Sequence, residues 1–250
     1  MIRAVIFDLD NTLVDFMTMK RRAVDAAVDA MIDAGLGLAK EEARARIFAI
    51  YDARGIEYQR VFDDFLEAET GHVDPRVLAA AIVAYRRARE ALLVLYPHVT
   101  LTLVGLVKRG IRLAVVSDAP RMEAWLRVCH LRLHHLFDHV VTLDDTGMRK
   151  PSPEPFRRAL ELLDVAPHEA LMVGDWPERD VVGAGALGIR TVFARYGDTF
   201  GTAGSGADFE IADASELLPL VDRLRAEPGP GSGPNGAART SAAARVEEGS

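Results

Sequence analysis

Short runs of consecutive apolar residues recur along this chain, and between them apolar positions fall at helical spacing. Runs at 4–7, 112–117, 139–142, 170–173, 190–193 and 208–211 are rich in Val, Ile and Leu and predict buried strands. Helices are predicted between the later runs, at 99–109, 121–132, 153–164, 179–187 and 215–225. That alternation predicts an α/β fold, a doubly wound, Rossmann-like parallel sheet with helices on both faces.

The stretch from 16 to 95 breaks the alternation. Ala23, Ala27, Met31 and Ala34 stand at helical spacing, and further helices are predicted near 40–52, 57–70 and 75–94. The first run belongs with the sheet, so this all-helical block is expected as an insertion after the first strand. The organisation that follows is a core of 1–15 and 96–225, a helical block of 16–95, and a tail of 226–250. Pro and Gly dominate the start of the tail, which buries too little apolar surface to offset its ordering entropy and is expected to be disordered.

Composition narrows the class of protein. With 250 residues, 49% of them hydrophobic, the chain can bury a sizeable core. A net charge of -7 argues against a nucleic-acid partner, which selects a basic face. The single cysteine, Cys129, excludes an internal disulfide, fits a reducing compartment, and is expected to be packed or idle. The apolar run before Asp8 is too short for a secretory segment, and no window approaches the roughly 18 apolar residues of a membrane span. A cytoplasmic protein without a membrane partner is expected, and nothing in the sequence bears on oligomeric state.

Candidate chemistry sits where the strands end, which is where ligands bind in a doubly wound sheet. The first run ends in Asp8-Leu9-Asp10-Asn11-Thr12, the second in Ser117-Asp118, and the fourth in Gly174-Asp175, with Asp180 five residues on. Lys150 follows the third. Residues two apart on extended chain point the same way, so Asp8 and Asp10 can face one site. Carboxylates gathered this closely repel, and a hard divalent cation with oxygen ligands, Mg²⁺, relieves them. Such a site suits a phosphate ester. A carboxylate can attack phosphorus, a second acid can serve the leaving oxygen, and Lys150 and the Ser117 hydroxyl can meet the phosphoryl oxygens. Asp8 and Asp10 fill the first two roles.

These segments, in this order, resemble the four motifs of the haloacid dehalogenase superfamily. The matching residues are Asp8-Leu9-Asp10-Asn11-Thr12, Ser117 after Val115-Val116, Lys150-Pro151-Ser152-Pro153, and Gly174-Asp175-Trp176-Pro177-Glu178-Arg179-Asp180. The resemblance spans the whole core and implies Asp8 as nucleophile and Asp10 as general acid/base. It places Asp8, Asp10 (through its backbone carbonyl) and Asp175 at Mg²⁺, with Asp180 either a further ligand or orienting the metal's water shell, and Ser117, Lys150, Thr12 and Asp118 at the substrate. The helical block resembles the small cap that closes over the site in one subfamily, whose members include phosphoglycolate and glyceraldehyde 3-phosphate phosphatases. Trp176-Pro177 departs from the small or polar residues usual there.

The implied partner is a small phosphorylated metabolite: a sugar phosphate, phosphoglycolate, a triose phosphate or a nucleoside monophosphate. A dehalogenase shares the fold and nucleophile, but Asp10 and a metal site have no use in that reaction. A phosphomutase shares every residue named, and a binding module that lost turnover is the reading outside enzymes. Lys20, Arg21 and Arg22 are expected on a solvated helix face, while Phe16, Met17 and Met19 fit either a pocket lining or the base of the cap. His134 and His135 lack metal-ligand spacing.

Overall fold

The computed structural model describes residues 1–227 of the chain. All six expected strands form: β1 (Ala4–Phe7), β2 (Arg112–Val116), β3 (His139–Val141), β4 (Ala170–Gly174), β5 (Arg190–Ala194) and β6 (Phe209–Ile211). They make one wholly parallel sheet in the order β3-β2-β1-β4-β5-β6. The chain leaves β1 for β2 on one side and later returns across it to β4 on the other. The crevice beyond the C-terminal ends of β1 and β4 is therefore where such a sheet opens a ligand site.

Alternation along the central strands divides the core into two layers. Val5, Phe7, Leu113, Val115, Leu171 and Val173 face one side, against α5 (Val99–Lys108), α6 (Arg121–His130) and α10 (Leu217–Ala226). Ala4, Ile6, Ala114, Val116, Ala170 and Met172 face the other, where α8 (Pro153–Leu163) inserts Phe156, Ala159 and Leu163. The alanines on that face leave room for the Phe156 ring, which is fully buried. Side chains two apart share a face, so the strand pattern alone decides which helix each residue meets.

Between β1 and β2 lies the helical block of α1 (Phe16–Asp33), α2 (Lys40–Arg54), α3 (Val61–Thr70) and α4 (Pro75–Leu92). It has its own apolar cluster, built from Val24, Val28, Met31, Ile47, Phe62 and Phe65 among others. Its entering and leaving segments run side by side. The Tyr96 N–H donates to Leu13 O at 3.0 Å and the Asp15 N–H to Val94 O at 3.3 Å. Among the described residues no helix is long and apolar enough to cross a membrane.

Two helices differ from expectation. The helix expected over 57–70 starts only at Val61, because Gly55 (φ 96°) turns the chain and the Tyr58 N–H closes that turn on Gly55 O. Glu57 is thereby left on a loop facing the core. The helix expected over 179–187 begins earlier, as a wide π-type turn at Pro177–Val181, and runs into α9 (Val182–Gly185). A short α7 (Leu143–Thr146) was not foreseen; the Thr142 backbone N–H and hydroxyl both donate to Asp145 Oδ2, at 2.8 and 2.6 Å. The tail expected to be disordered lies, but for its first two residues, outside the described residues.

Candidate active site

Two strand ends, the π-type turn and the segment before α8 deliver the acids and their cation to one place. Asp8 follows β1 and Asp175 follows β4, on strands paired with Phe7 opposite Val173. Asp180 reaches back from the π-type turn, whose geometry is fixed by a bond from the Asp180 N–H to Trp176 O at 2.7 Å. The Trp176 N–H in turn donates to Asp180 Oδ2 at 3.0 Å. Lys150 is set by its own backbone N–H, which donates to Asp118 Oδ1 at 2.9 Å. Just beyond it, Ser152 caps α8 and Pro153 occupies its first turn.

The Lys150 ammonium lies 2.5 Å from Asp8 Oδ1 and 2.7 Å from Asp180 Oδ1. Asp8, Asp175 and Asp180 each offer an oxygen within 4.8 Å of the others. All four side chains are buried. Three carboxylates therefore face one ammonium in a low-dielectric pocket, and burial penalises each negative charge. Burial raises the pKa of Asp8 even against the pull of Lys150. It raises Asp180 to about 6. It raises Asp175 well above the carboxylate range, with repulsion from Asp8 and Asp180 adding to the effect. Burial opposes the Lys150 charge, but Asp180 and Asp8 outweigh it and lift that pKa.

A divalent cation fits this donor set. The oxygens are hard ligands, close enough to share one ion, and among the described residues Lys150 is the one cation paired with their excess negative charge. Thr12 supports the arrangement from behind, its hydroxyl donating to Asp175 Oδ1 at 2.9 Å.

Asp10 stands beside this cluster and outside it. Asn11 adopts a left-handed backbone (φ 60°) and its N–H bonds Val14 O at 2.7 Å, so the chain turns sharply just after Asp10. The loop after β5 braces that turn, with the Tyr196 hydroxyl donating to Thr12 O at 2.9 Å. Gly197 lies against the Asn11 carbonyl so closely that a Cβ there would overlap it. The Asp10 carboxylate faces Arg127 of α6, 3.2 Å from Nη1. Burial is the chief reason its pKa rises to about 6, with Arg127 opposing the shift.

The remaining expected residues divide. Ser117 is buried at the end of β2, with its Oγ accepting from the Ala119 N–H at 3.1 Å. Asp118 is engaged by protein on both oxygens, Oδ1 by the Lys150 N–H and Oδ2 by Arg179 at 3.0 Å. Arg179 also stacks on the Trp176 ring, 3.7 Å from its centroid, and Trp176 packs on Phe200. The departure at Trp176 is thus absorbed by a surface stack beside the acid cluster.

Sequence reading missed two groups. Arg127 is buried on the inner face of α6, between Ala124 and Val128; a charge on an otherwise apolar stripe was the available signal. Lys20, expected to be solvated with Arg21 and Arg22, is instead buried, while those two are exposed. Its ammonium sits over the Tyr51 ring at 4.1 Å and near Tyr85 at 5.4 Å. Burial lowers its pKa to about 8. Phe16, Met19, Lys20, Glu57, Tyr85 and Arg127 are among the residues lining a cavity of about 390 Å³ between the helical block and α6. Cys129, on the same helix, is exposed.

Gly174 is the residue on which the geometry of Asp180 turns. A Cβ at Gly174 would overlap the Asp180 carboxyl group, so Gly174→Ala must displace it. Misplacement by about 1 Å is enough to cost about 10²-fold in rate, and a loss of at least that size is expected for this variant. Steady-state kinetics on the folded variant checks it, and wild-type kcat would show that Asp180 placement is unimportant.

The model of the haloacid dehalogenase-like hydrolases matches residues 2–188. A glyceraldehyde 3-phosphate phosphatase from Methanocaldococcus jannaschii is 33% identical over 228 residues, covering 90% of this chain and 99% of that one. One from Methanopyrus kandleri is 35% identical over 230 residues, with the same coverage of each. Among solved structures, a HAD phosphatase from Thermococcus onnurineus is 28% identical with a TM-score of 0.67, covering 88% of this chain and 98% of that one. With the sheet order, the acidic strand ends and these matches in hand, the chain belongs to the haloacid dehalogenase-like hydrolases.

Proposed function

We propose that the protein is a Mg²⁺-dependent phosphatase of small phosphate monoesters, working through an aspartyl-phosphate on Asp8. The observation that carries this reading is the position of Asp8, held by Lys150 within a cluster of two further buried carboxylates. A carboxylate paired with a neighbouring ammonium, which opposes the effect of burial on its charge, is a competent nucleophile towards phosphorus once ionised. Asp8, Asp175 and Asp180 would hold the metal, with the Asp10 backbone carbonyl contributing as the resemblance implies. When bound, that ion offsets charge on the phosphoryl oxygens.

The chain's own groups then have distinct tasks. An Asp8 oxygen attacks phosphorus as the ester P–O bond breaks, and its electron pair leaves on the substrate oxygen. Asp10 gives that oxygen its proton. Asp10 then takes a proton from water, whose oxygen attacks phosphorus and frees Asp8 with release of inorganic phosphate. Lys150 and the Ser117 hydroxyl meet the phosphoryl oxygens. Thr12 and Asp118 act one step back: Thr12 orients Asp175 and Asp118 orients Lys150. The helical block serves as a cap that excludes water and selects the leaving group.

The relatives' names point to a three-carbon phosphate, and the cavity lined by Arg127 and Glu57 has room for a leaving group of that size. The test is phosphate release across glyceraldehyde 3-phosphate, phosphoglycolate, hexose phosphates and nucleoside monophosphates, with Mg²⁺ and with chelator. Highest kcat/KM on glyceraldehyde 3-phosphate is expected, with release lost on chelation and no bisphosphate required, which separates it from a mutase. No release from any ester in Mg²⁺ would overturn the reading.

A further inference from the structure

Arg127 lies outside all four motif segments, yet its guanidinium is what meets the Asp10 carboxylate. It is 5% exposed, projects from the last turn of α6, and stacks its guanidinium 4.5 Å from the centroid of Phe16, the first residue of the helical block. Nη1 approaches Asp10 Oδ2 at 3.2 Å, and Nη2 bonds Glu57 Oε1 on the loop between α2 and α3. One side chain therefore touches the core acid, the start of α1 and a loop of the helical block.

The bonding is lopsided. Glu57 takes a direct hydrogen bond, whereas the contact with Asp10 is an ion pair that leaves Nη1 without a hydrogen-bond partner among the described residues. Asp10 Oδ1 is likewise buried and unpartnered among the described residues. A buried polar atom left unpaired is costly, and one beside a reaction centre is commonly completed by the ligand. The Asp10 carboxylate is thus held by one oxygen while the other is open to a substrate atom.

We infer that Arg127 is a positioning residue for the acid–base step: it fixes Asp10 Oδ2 so that Oδ1 meets the leaving oxygen, and Glu57 ties that aim to the position of the helical block. The inference rests on the reading of Asp10 as acid/base. In the step it serves, the proton passes from Asp10 Oδ1 to the ester oxygen as the P–O bond electrons move onto that oxygen. When the cap shifts, Glu57 carries Arg127 with it and the acid loses its aim. Proton donation is then available only with the cap in place.

A leaving group that needs a proton reports on this directly. Glyceraldehyde 3-phosphate departs as an alkoxide unless protonated, whereas p-nitrophenyl phosphate departs as a stabilised phenolate. Kinetics on both esters are measured for Asp10→Asn, Arg127→Met, Arg127→Lys and Glu57→Gln, with Mg²⁺ present. Asp10→Asn and Arg127→Met are expected to lose about 10²-fold or more in kcat/KM on the alkyl ester and about tenfold less than that on the aryl ester. That constant reports the phosphoryl-transfer step, ahead of the water attack common to both esters. KM should move far less than kcat. Arg127→Lys should recover part of the loss, and Glu57→Gln should show the same ester selectivity at smaller amplitude.

Equal losses on both esters for the Arg127 variants, with Asp10→Asn still selective, would make Arg127 a structural tie and overturn the inference. An unselective Asp10→Asn would instead remove the acid assignment itself, and the inference with it. Because Arg127→Met strands two half-buried carboxylates, Arg127→Lys and Glu57→Gln carry the same ratio test if that variant does not fold.

Discussion

Asp8→Asn is expected to lower turnover of a phosphate ester by at least about 10⁴-fold, the scale on which removal of a nucleophile acts. The amide that replaces the carboxylate has the same shape and no anionic oxygen to offer phosphorus. The fold should tolerate the change. Lys150 keeps Asp180 at 2.7 Å, and one of three mutually repelling carboxylates is gone. Circular dichroism and the thermal midpoint should therefore stay close to wild type while activity disappears. Asp8→Glu separates charge from position, since it keeps the anion but moves it by one methylene. A loss of about 10²-fold is expected there. Turnover by Asp8→Asn within tenfold of wild type would mean that another group attacks phosphorus.

The legible and illegible parts of this protein differ in physical kind. Strands such as 4–7 and 170–173 are buried on both faces, so their identity is written in consecutive apolar residues that no other element tolerates. The acids could be placed because they end those strands, and a parallel sheet opens its ligand crevice there. Asp8, Asp175 and Lys150 needed nothing beyond this. Asp10 was placed on the right segment, but the left-handed turn at Asn11 and the distant Arg127 send its carboxylate beside the acid cluster, outside it.

Lys20 shows what local pattern misses. Beside Arg21 and Arg22 it reads as part of a basic surface strip, and only the tyrosines of two other helices turn its position into a buried one. Arg127 and Glu57 are joined across 70 residues. No spacing rule connects them. The loop that presents Glu57 exists because Gly55 (φ 96°) ends α2 and α3 starts only at Val61, four residues later than its expected start. Contacts between the helical block and the core are set by tertiary packing, and they are where sequence reading ran out.

The acid cluster also predicts how metal and pH act together on stability. Asp180 has its pKa raised to about 6 and Asp8 and Asp175 are raised as well, burial being the chief cause for each. In the unfolded chain the same groups titrate near 3.9. Between those values the metal-free native state holds more protons than the unfolded state, so its stability falls as pH rises through about 4 to 6. Above that window Asp180 is ionised, and each further charge among the three carboxylates is opposed by repulsion that a cation would relieve. Protons and metal compete for the same oxygens, so stabilisation by Mg²⁺ should be smaller at pH 5 than at pH 7.5. At about 100 times its dissociation constant the ion adds about 2.7 kcal/mol, and the midpoint should rise by about 5–10 °C. Asp175→Asn should remove most of that increment, whereas Asp118→Asn, whose side chain bonds Lys150 and Arg179, should retain it. Thermal melts with Mg²⁺ and with chelator at both pH values decide the matter. An increment of equal size at pH 5 and pH 7.5, or one that survives Asp175→Asn, would place the ion somewhere other than among these three carboxylates.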